Sequence, residues 1–213
     1  IAFKKLNFAK GIFASPWCGL DNFKFLFQSK DAWIITRNTL LYNVAFIAVN
    51  MIVGIAVAIL ICEVRNNKMK KLYQSAILLP FLMSMVILSY IVYALLSSEN
   101  GLINNTILSA LGKEPVQWYQ QPKYWPFILV FANCWKGVGY GCLIYIASII
   151  GIDPSYYEAA SLDGATKWQQ ITKITLPSLV PTIITLLLLN IGRIFYSDFG
   201  LFYQVPMNSG VLF

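Results

Sequence analysis

Glu158-Ala159-Ala160-Ser161-Leu162-Asp163-Gly164, followed after nine residues by Ile174-Thr175-Leu176-Pro177, lies between two long apolar segments. The residues read as a compact helix-turn-helix knob. Asp153 before Pro154 is a helix start, with a side-chain oxygen for orphan amides and then a proline where no amide proton is needed. Tyr156 to Leu162 form short turns carrying Glu158, Ala159 and Ala160. Asp163-Gly164 supplies a sharp turn, because glycine reaches positive φ without steric cost. Thr166 with Gln169 three residues later is a capping box that restarts a helix. Pro177 and Pro181 flank the start of the next apolar run. The two alanines leave room for another protein surface to approach closely.

The rest of the chain places that knob in a membrane. Of the 213 residues, 58% are hydrophobic and 12% charged, and mean hydropathy is +0.63, outside the range of soluble domains. Four stretches are long enough to span, at about 20 apolar residues per crossing: Asn38 to Ile61 and Leu72 to Ser98, both uncharged, Tyr124 to Ile150 with only Lys136, and Ile174 to Gly192. The expected fold class is therefore all-α, a polytopic membrane helix bundle with at least four spans. Aromatic residues sit near the span ends, as interfacial anchors do. The loop from Cys62 to Lys71 carries Arg65, Lys68, Lys70 and Lys71 and reads as cytoplasmic. Alternation then puts 98–123 outside and 151–173 inside. The first 37 residues would lie outside despite Lys4, Lys5, Lys10, Lys24, Lys30 and Arg37, which runs against the simple charge rule.

With its complete spacing, EAA-x3-G-x9-I-x-LP, the knob resembles the signature of the membrane subunits of binding-protein-dependent ABC importers. Other elements are similar to the sugar-type permeases of that family: Trp17-Cys18-Gly19-Leu20-Asp21-Asn22-Phe23, Asn38-Thr39-Leu40, a kink at Leu79-Pro80, and Gly101-Leu102-Ile103-Asn104 with Gly112. Ser15-Pro16-Trp17 and Phe199-Gly200-Leu201-Phe202-Tyr203 resemble the oligosaccharide branch. The resemblance implies a type I importer permease with a six-helix core, of which four to five helices are present. It also implies that 1–213 is one membrane domain, with Ile1-Ala2-Phe3 as the tail of an upstream span and a further helix beyond Phe213. It assigns Glu158, Ala159, Ala160, Asp163, Gly164, Ile174, Leu176 and Pro177 to ATPase coupling. The partners it implies are a second, different permease chain, two ATPase subunits, an external solute-binding protein and a carbohydrate. The location it implies is the bacterial inner membrane. ATP and Mg would bind the partner ATPase, leaving this chain without a cofactor and without enzyme activity.

Several chemistries are excluded by the residues themselves. No G-x-x-x-x-G-K-[ST] loop is present to cradle phosphates. The chain has no histidine, which removes His-based triads and His zinc sites, and its four cysteines lack metal-ligand spacing. A nucleic-acid role is disfavoured because no basic patch lies on a foldable soluble surface. The alternative transport class, an ion-gradient-driven secondary transporter or channel, lacks an embedded Asp or Glu in its first three spans. Two cations remain deep in the apolar runs. Lys136 lies about 18 Å along its helix from Tyr124, and Arg193 roughly 21 Å from Leu179, at 1.5 Å per residue. With Asn133, Trp135, Asn190 and Tyr196, they form the candidate substrate path, since aromatic faces, amides and charges suit sugar binding and intramembrane charges face cavities or protein.

Overall fold

The computed structural model describes residues 2–8, 11–207 and 209; Ile1, Lys10 and Phe213, used in the reading above, lie outside them. The chain divides into two compact units, Ile1–Leu41 and Tyr42–Phe213. Helices are α1 (Gly11–Ala14), α2 (Asp21–Gln28), α3 (Lys30–Glu63), α4 (Asn67–Leu82), α5 (Met85–Leu96), α6 (Trp125–Ile150), α7 (Pro154–Leu162), α8 (Lys167–Gln170) and α9 (Leu176–Ile191). α3 begins in the first unit and continues through the second.

In the first unit the Trp17–Phe23 element acts as a local fastener. Cys18 N donates to Phe3 O (2.9 Å) and Lys5 N to Pro16 O (3.0 Å), while Phe3 stacks on Trp17 at 5.8 Å between centroids. Asn22 Nδ2 reaches back to Ala2 O and Lys4 O at 2.8 and 3.0 Å. Gly19 turns the chain at φ +58°, where a Cβ would be strained. Lys4 and Trp17 thus form an isolated antiparallel bridge.

Among the described residues, three continuous helices, Ala32–Glu63, Pro122–Ile150 and Lys167–Ile191, are long and apolar enough to cross a membrane. Three of the expected spans fall within them. The expected span Leu72 to Ser98 differs, because α4 and α5 are bent by 99° at a short break. Pro80 lies inside α4, and the break comes after it, where Met83 and Ser84 are both extended. Pro80 has no N–H to give the helix, Met83 N bonds only to Pro80 O at 3.3 Å, and Ser84 Oγ caps Ile87 N at 3.2 Å. An uncharged run looks the same to a hydropathy window whether or not it is broken.

Pro177 stands in the first turn of α9 and Pro181 inside it, and neither interrupts the continuous rod Lys167–Ile191. A π-helical stretch, Ile171–Thr175, absorbs the missing amide of Pro177, with Leu176 N bonding back five residues to Ile171 O.

Two buried clusters hold the second unit together. One joins Phe46, Leu88, Val92, Leu96, Trp125 and Leu129; the other joins Ala58, Ile61, Cys142, Tyr145, Ile146 and Leu179. α6 runs through both. It meets α4 at Gly139, where an added Cβ would strike the Ile77 carbonyl oxygen. Asn104 staples the connection between α5 and α6. It is 2% exposed, its Nδ2 donates to Ser97 O and Val116 O, and its Oδ1 accepts from Val116 N and Trp118 Nε1. That bonding accounts for the residue as part of the fold.

Lys167 Nζ lies 3.4 Å from Glu63 Oε2, so the basic loop after α3 and the knob share one end of the bundle. Single cysteines at Lys68 and Leu162, in a protein lacking the four native cysteines, should react with impermeant maleimide only after the membrane is opened. Labelling of either in intact cells would reverse the orientation.

Candidate functional site

Several polar residues of α3, α6 and α9 converge on one cavity that touches both buried clusters. A cavity of about 560 Å³ is lined by Asn43 and Asn50 of α3, Asn133, Gly137 and Tyr140 of α6, Asn190 of α9, and Arg193, Tyr196 and Asp198 beyond it. Helix geometry explains the α6 contribution. At 100° per residue, positions 133, 137, 140 and 144 fall on one stripe. Asn50 and Asn133 face each other across it, with Asn50 Nδ2 donating to Asn133 Oδ1 and to Phe46 O, both at 2.8 Å. Gly137 permits that approach, since a Cβ there would lie 3.2 Å from Asn50 Oδ1. The same Oδ1 is buried without a hydrogen bond from the protein, a costly condition for an amide oxygen in an apolar span.

At the end of α9 the helix gives way to turns after Gly192. Asn43 Nδ2 donates to Tyr196 O at 3.0 Å, anchoring this segment to α3. The Arg193 guanidinium stacks over Tyr196 at 5.5 Å and forms no ion pair among the described residues. Asp198, the acid in the same wall, accepts from Leu201 N at 3.3 Å. The lining thus offers amides, the rings of Tyr140, Tyr145 and Tyr196, one guanidinium and one carboxylate.

Of the six residues expected on the substrate path, Asn133, Asn190, Arg193 and Tyr196 line this cavity. Trp135 and Lys136 do not. Trp135, on the opposite side of α6, packs against the first buried cluster. Lys136 turns toward the α4–α5 break, where its Nζ donates to Phe81 O at 3.0 Å and to Met83 O. Asn43, Asn50 and Tyr140 escaped the reading of the sequence. Their signal was present, for Asn43 and Asn50 are polar residues seven apart, on one face of an otherwise apolar helix.

The knob forms as its caps dictate. Asp153 Oδ1 accepts from Ser155 N at 2.9 Å, and that backbone bond holds its carboxyl below the usual carboxylate range. α7 ends at Asp163, and Gly164 turns at φ +78°. Thr166 and Gln169 close a reciprocal capping box. Inside the knob, Gln170 Nε2 donates to Ser161 Oγ at 2.9 Å, and the Tyr157 and Thr175 hydroxyls share a hydrogen bond of 2.9 Å. Gln170 and Thr175 are buried. Outward, by contrast, Leu162 is 90%, Trp168 71% and Tyr156 62% exposed. Glu158 and Ala159 are exposed beside them. Of the expected coupling residues, 158–164 form this outer turn, while Ile174, Leu176 and Pro177 lie in the rod behind it.

Comparison with known proteins agrees with this architecture. The family model described as "Binding-protein-dependent transport system inner membrane component" matches residues 50–197. The polygalacturonan/rhamnogalacturonan transport system permease protein YteP of Bacillus subtilis (strain 168) is 35% identical over 192 residues, covering 90% of this chain and 60% of its own. The chain therefore spans less than two thirds of that relative. A crystal structure of a bacterial ABC transporter involved in the import of the acidic polysaccharide alginate superposes with a TM-score of 0.83 at 37% identity, covering 91% of this chain and 69% of that one. The alginate transporter in complex with alginate pentasaccharide-bound periplasmic protein gives 0.82 at 36% identity, over 91% and 68%. The match over residues 50–197 takes in the knob and most of the cavity lining, and the chain belongs to the family of binding-protein-dependent transport system inner membrane components.

Proposed function

We propose that the chain is a permease subunit of an ABC importer for a sugar or oligosaccharide, and that loop 153–177 couples it to a separate ATPase. The observation that carries the reading is the knob: a capped, internally bonded turn at one end of the bundle that leaves Tyr156, Leu162 and Trp168 exposed. Large apolar side chains grouped on a rigid surface mark a protein contact. The cavity supplies the path. Its amides suit sugar hydroxyls and its tyrosines the C–H faces of a ring, while Arg193 offers the planar fork that matches a carboxylate. YteP, named for polygalacturonan and rhamnogalacturonan transport, and the alginate importer support a carbohydrate solute. A periplasmic protein stands beside the latter in its complex and supports an external binding protein as a partner here. A second permease and two ATPase subunits complete the assembly, and ATP with Mg belongs to those ATPases. ATP-driven closure would move the knobs and shift the cavity between inward and outward access.

The test is uptake by the assembled complex in proteoliposomes. Uptake should require ATP and the binding protein, and should survive collapse of the proton and sodium gradients. Arg193→Met should lower uptake about tenfold or more if the guanidinium is bidentate to solute, a contact of roughly 1.5–3 kcal/mol, while basal ATPase persists because the knob is intact. Uptake driven by an ion gradient without ATP would refute the importer reading. Normal uptake by the Arg193 variant would take that residue off the path.

A further inference from the structure

We propose that Lys136 is a positioning residue, the pin that holds the broken α4–α5 span in its bent form. The ammonium ion serves the carbonyls set free by the break. When α4 stops at Leu82 its last carbonyls lose their helical partners, and in an apolar span no water replaces them. Lys136 Nζ donates to Phe81 O at 3.0 Å and to Met83 O, one on each side of the last helical residue. It also lies 5.8 Å from the centroid of the Phe81 ring, which stacks on Tyr140 at 5.3 Å. A cation at a helix C-terminus is favoured by the helix dipole as well as by the hydrogen bonds.

The opposite lip of the break is served separately by Ser84 Oγ on Ile87 N. Each half-helix therefore has its own cap, and Lys136, beside the Phe81–Tyr140 stack, ties the α4 side to α6 at this level. The charge has no acidic partner among the described residues; its partners are backbone dipoles, as intramembrane lysines commonly find.

The location gives the pin a role in transport, and that half of the inference rests on the importer reading. Lys136 is adjacent to Gly137 and three residues from Asn133, both in the cavity wall. One turn of α6 thus faces the cavity with one stripe and grips the break with the neighbouring one. Gly139, pressed on the Ile77 carbonyl, prevents α6 from shifting against α4 at the next turn. A change in the bend at Met83 must move the Asn133–Gly137 wall, and the pin sets where that wall rests. Lys136 then acts on every solute alike, whereas a solute ligand would act on some and not others.

The test uses the assembled complex in membranes, with native cysteines removed and Met83→Cys as reporter. In Lys136→Met the carbonyls lose their donor, the break loosens, and N-ethylmaleimide should label the reporter about tenfold faster, equivalent to about 1.4 kcal/mol. Lys136→Arg keeps charged donors for two carbonyls and should restore slow labelling. Uptake of a neutral and of a carboxylated oligosaccharide should fall by the same factor in Lys136→Met. Unchanged labelling would overturn the pin, and so would a selective loss of one solute, which would place Lys136 on the path itself. Should Lys136→Met not assemble, Lys136→Arg decides: assembly with slow labelling supports the pin, and failure as complete as with methionine refutes it. The labelling arm needs no transport, so a complex that imports nothing would count against the importer reading alone.

Discussion

Gly139→Val should remove the permease from the membrane fraction almost completely, while Gly141→Ala two residues away should leave its amount unchanged. The two glycines look alike in Gly137-Val138-Gly139-Tyr140-Gly141 and differ only in what faces them. A Cβ at Gly139 would meet the Ile77 carbonyl oxygen, the Ile77 carbonyl carbon at 2.9 Å and Leu78 Cα at 3.2 Å, all backbone. Backbone cannot swing aside as a side chain can, so α4 and α6 must separate. Overpacking of this kind costs about 1–3 kcal/mol and at times more, and here it also pulls on the carbonyls that Lys136 holds. A Cβ at Gly141 has nothing within 4 Å. Fluorescence-detected size exclusion of tagged protein would read both amounts. A well-populated, monodisperse Gly139→Val peak would show that α4 and α6 do not approach as closely as described.

Gly164→Val should uncouple the complex without unfolding it. At φ +78° the turn sits where a side chain is strained, yet nothing lies within 4 Å of the added Cβ, so the effect is confined to the backbone conformation. The left-handed penalty is roughly 1–2 kcal/mol for an ordinary residue and more for a β-branched one. Near that range a conformational equilibrium shifts by a factor of about 5–30. Gly164→Asn should retain most uptake, because asparagine tolerates this conformation. Glu158→Lys should act like valine for a different reason, since the exposed carboxylate forms no ion pair among the described residues and reversal places the wrong charge at the docking face. Solute-stimulated ATPase and uptake should fall together in Gly164→Val and Glu158→Lys while membrane levels hold. Normal stimulation in both would remove the knob from the coupling pathway.

Where local rules operate, the sequence was sufficient. Asp153, Pro154, Asp163-Gly164 and the Thr166–Gln169 box specify the knob, because each cap is a contact within a few residues and needs no distant partner. Apolar length likewise located the three continuous spans. The family, too, was legible at this level, through the resemblance carried by the spacing of that turn. Tertiary structure decided the rest. The break at Met83 and Ser84 depends on Lys136, fifty-three residues from Met83, to satisfy carbonyls that no neighbour in sequence can reach. The separation of Lys136 and Trp135 from Asn133 depends on how α6 is rotated. Positions 133, 137 and 140 share one stripe, whereas 136 lies roughly 70° from its centre and 135 roughly opposite. Which stripe meets the cavity is set by Gly137 against Asn50 and Gly139 against α4. Adjacency along a helix brings side chains to one level of the membrane but not to one side of it, because each residue turns by about 100°, and only packing against other helices chooses the face.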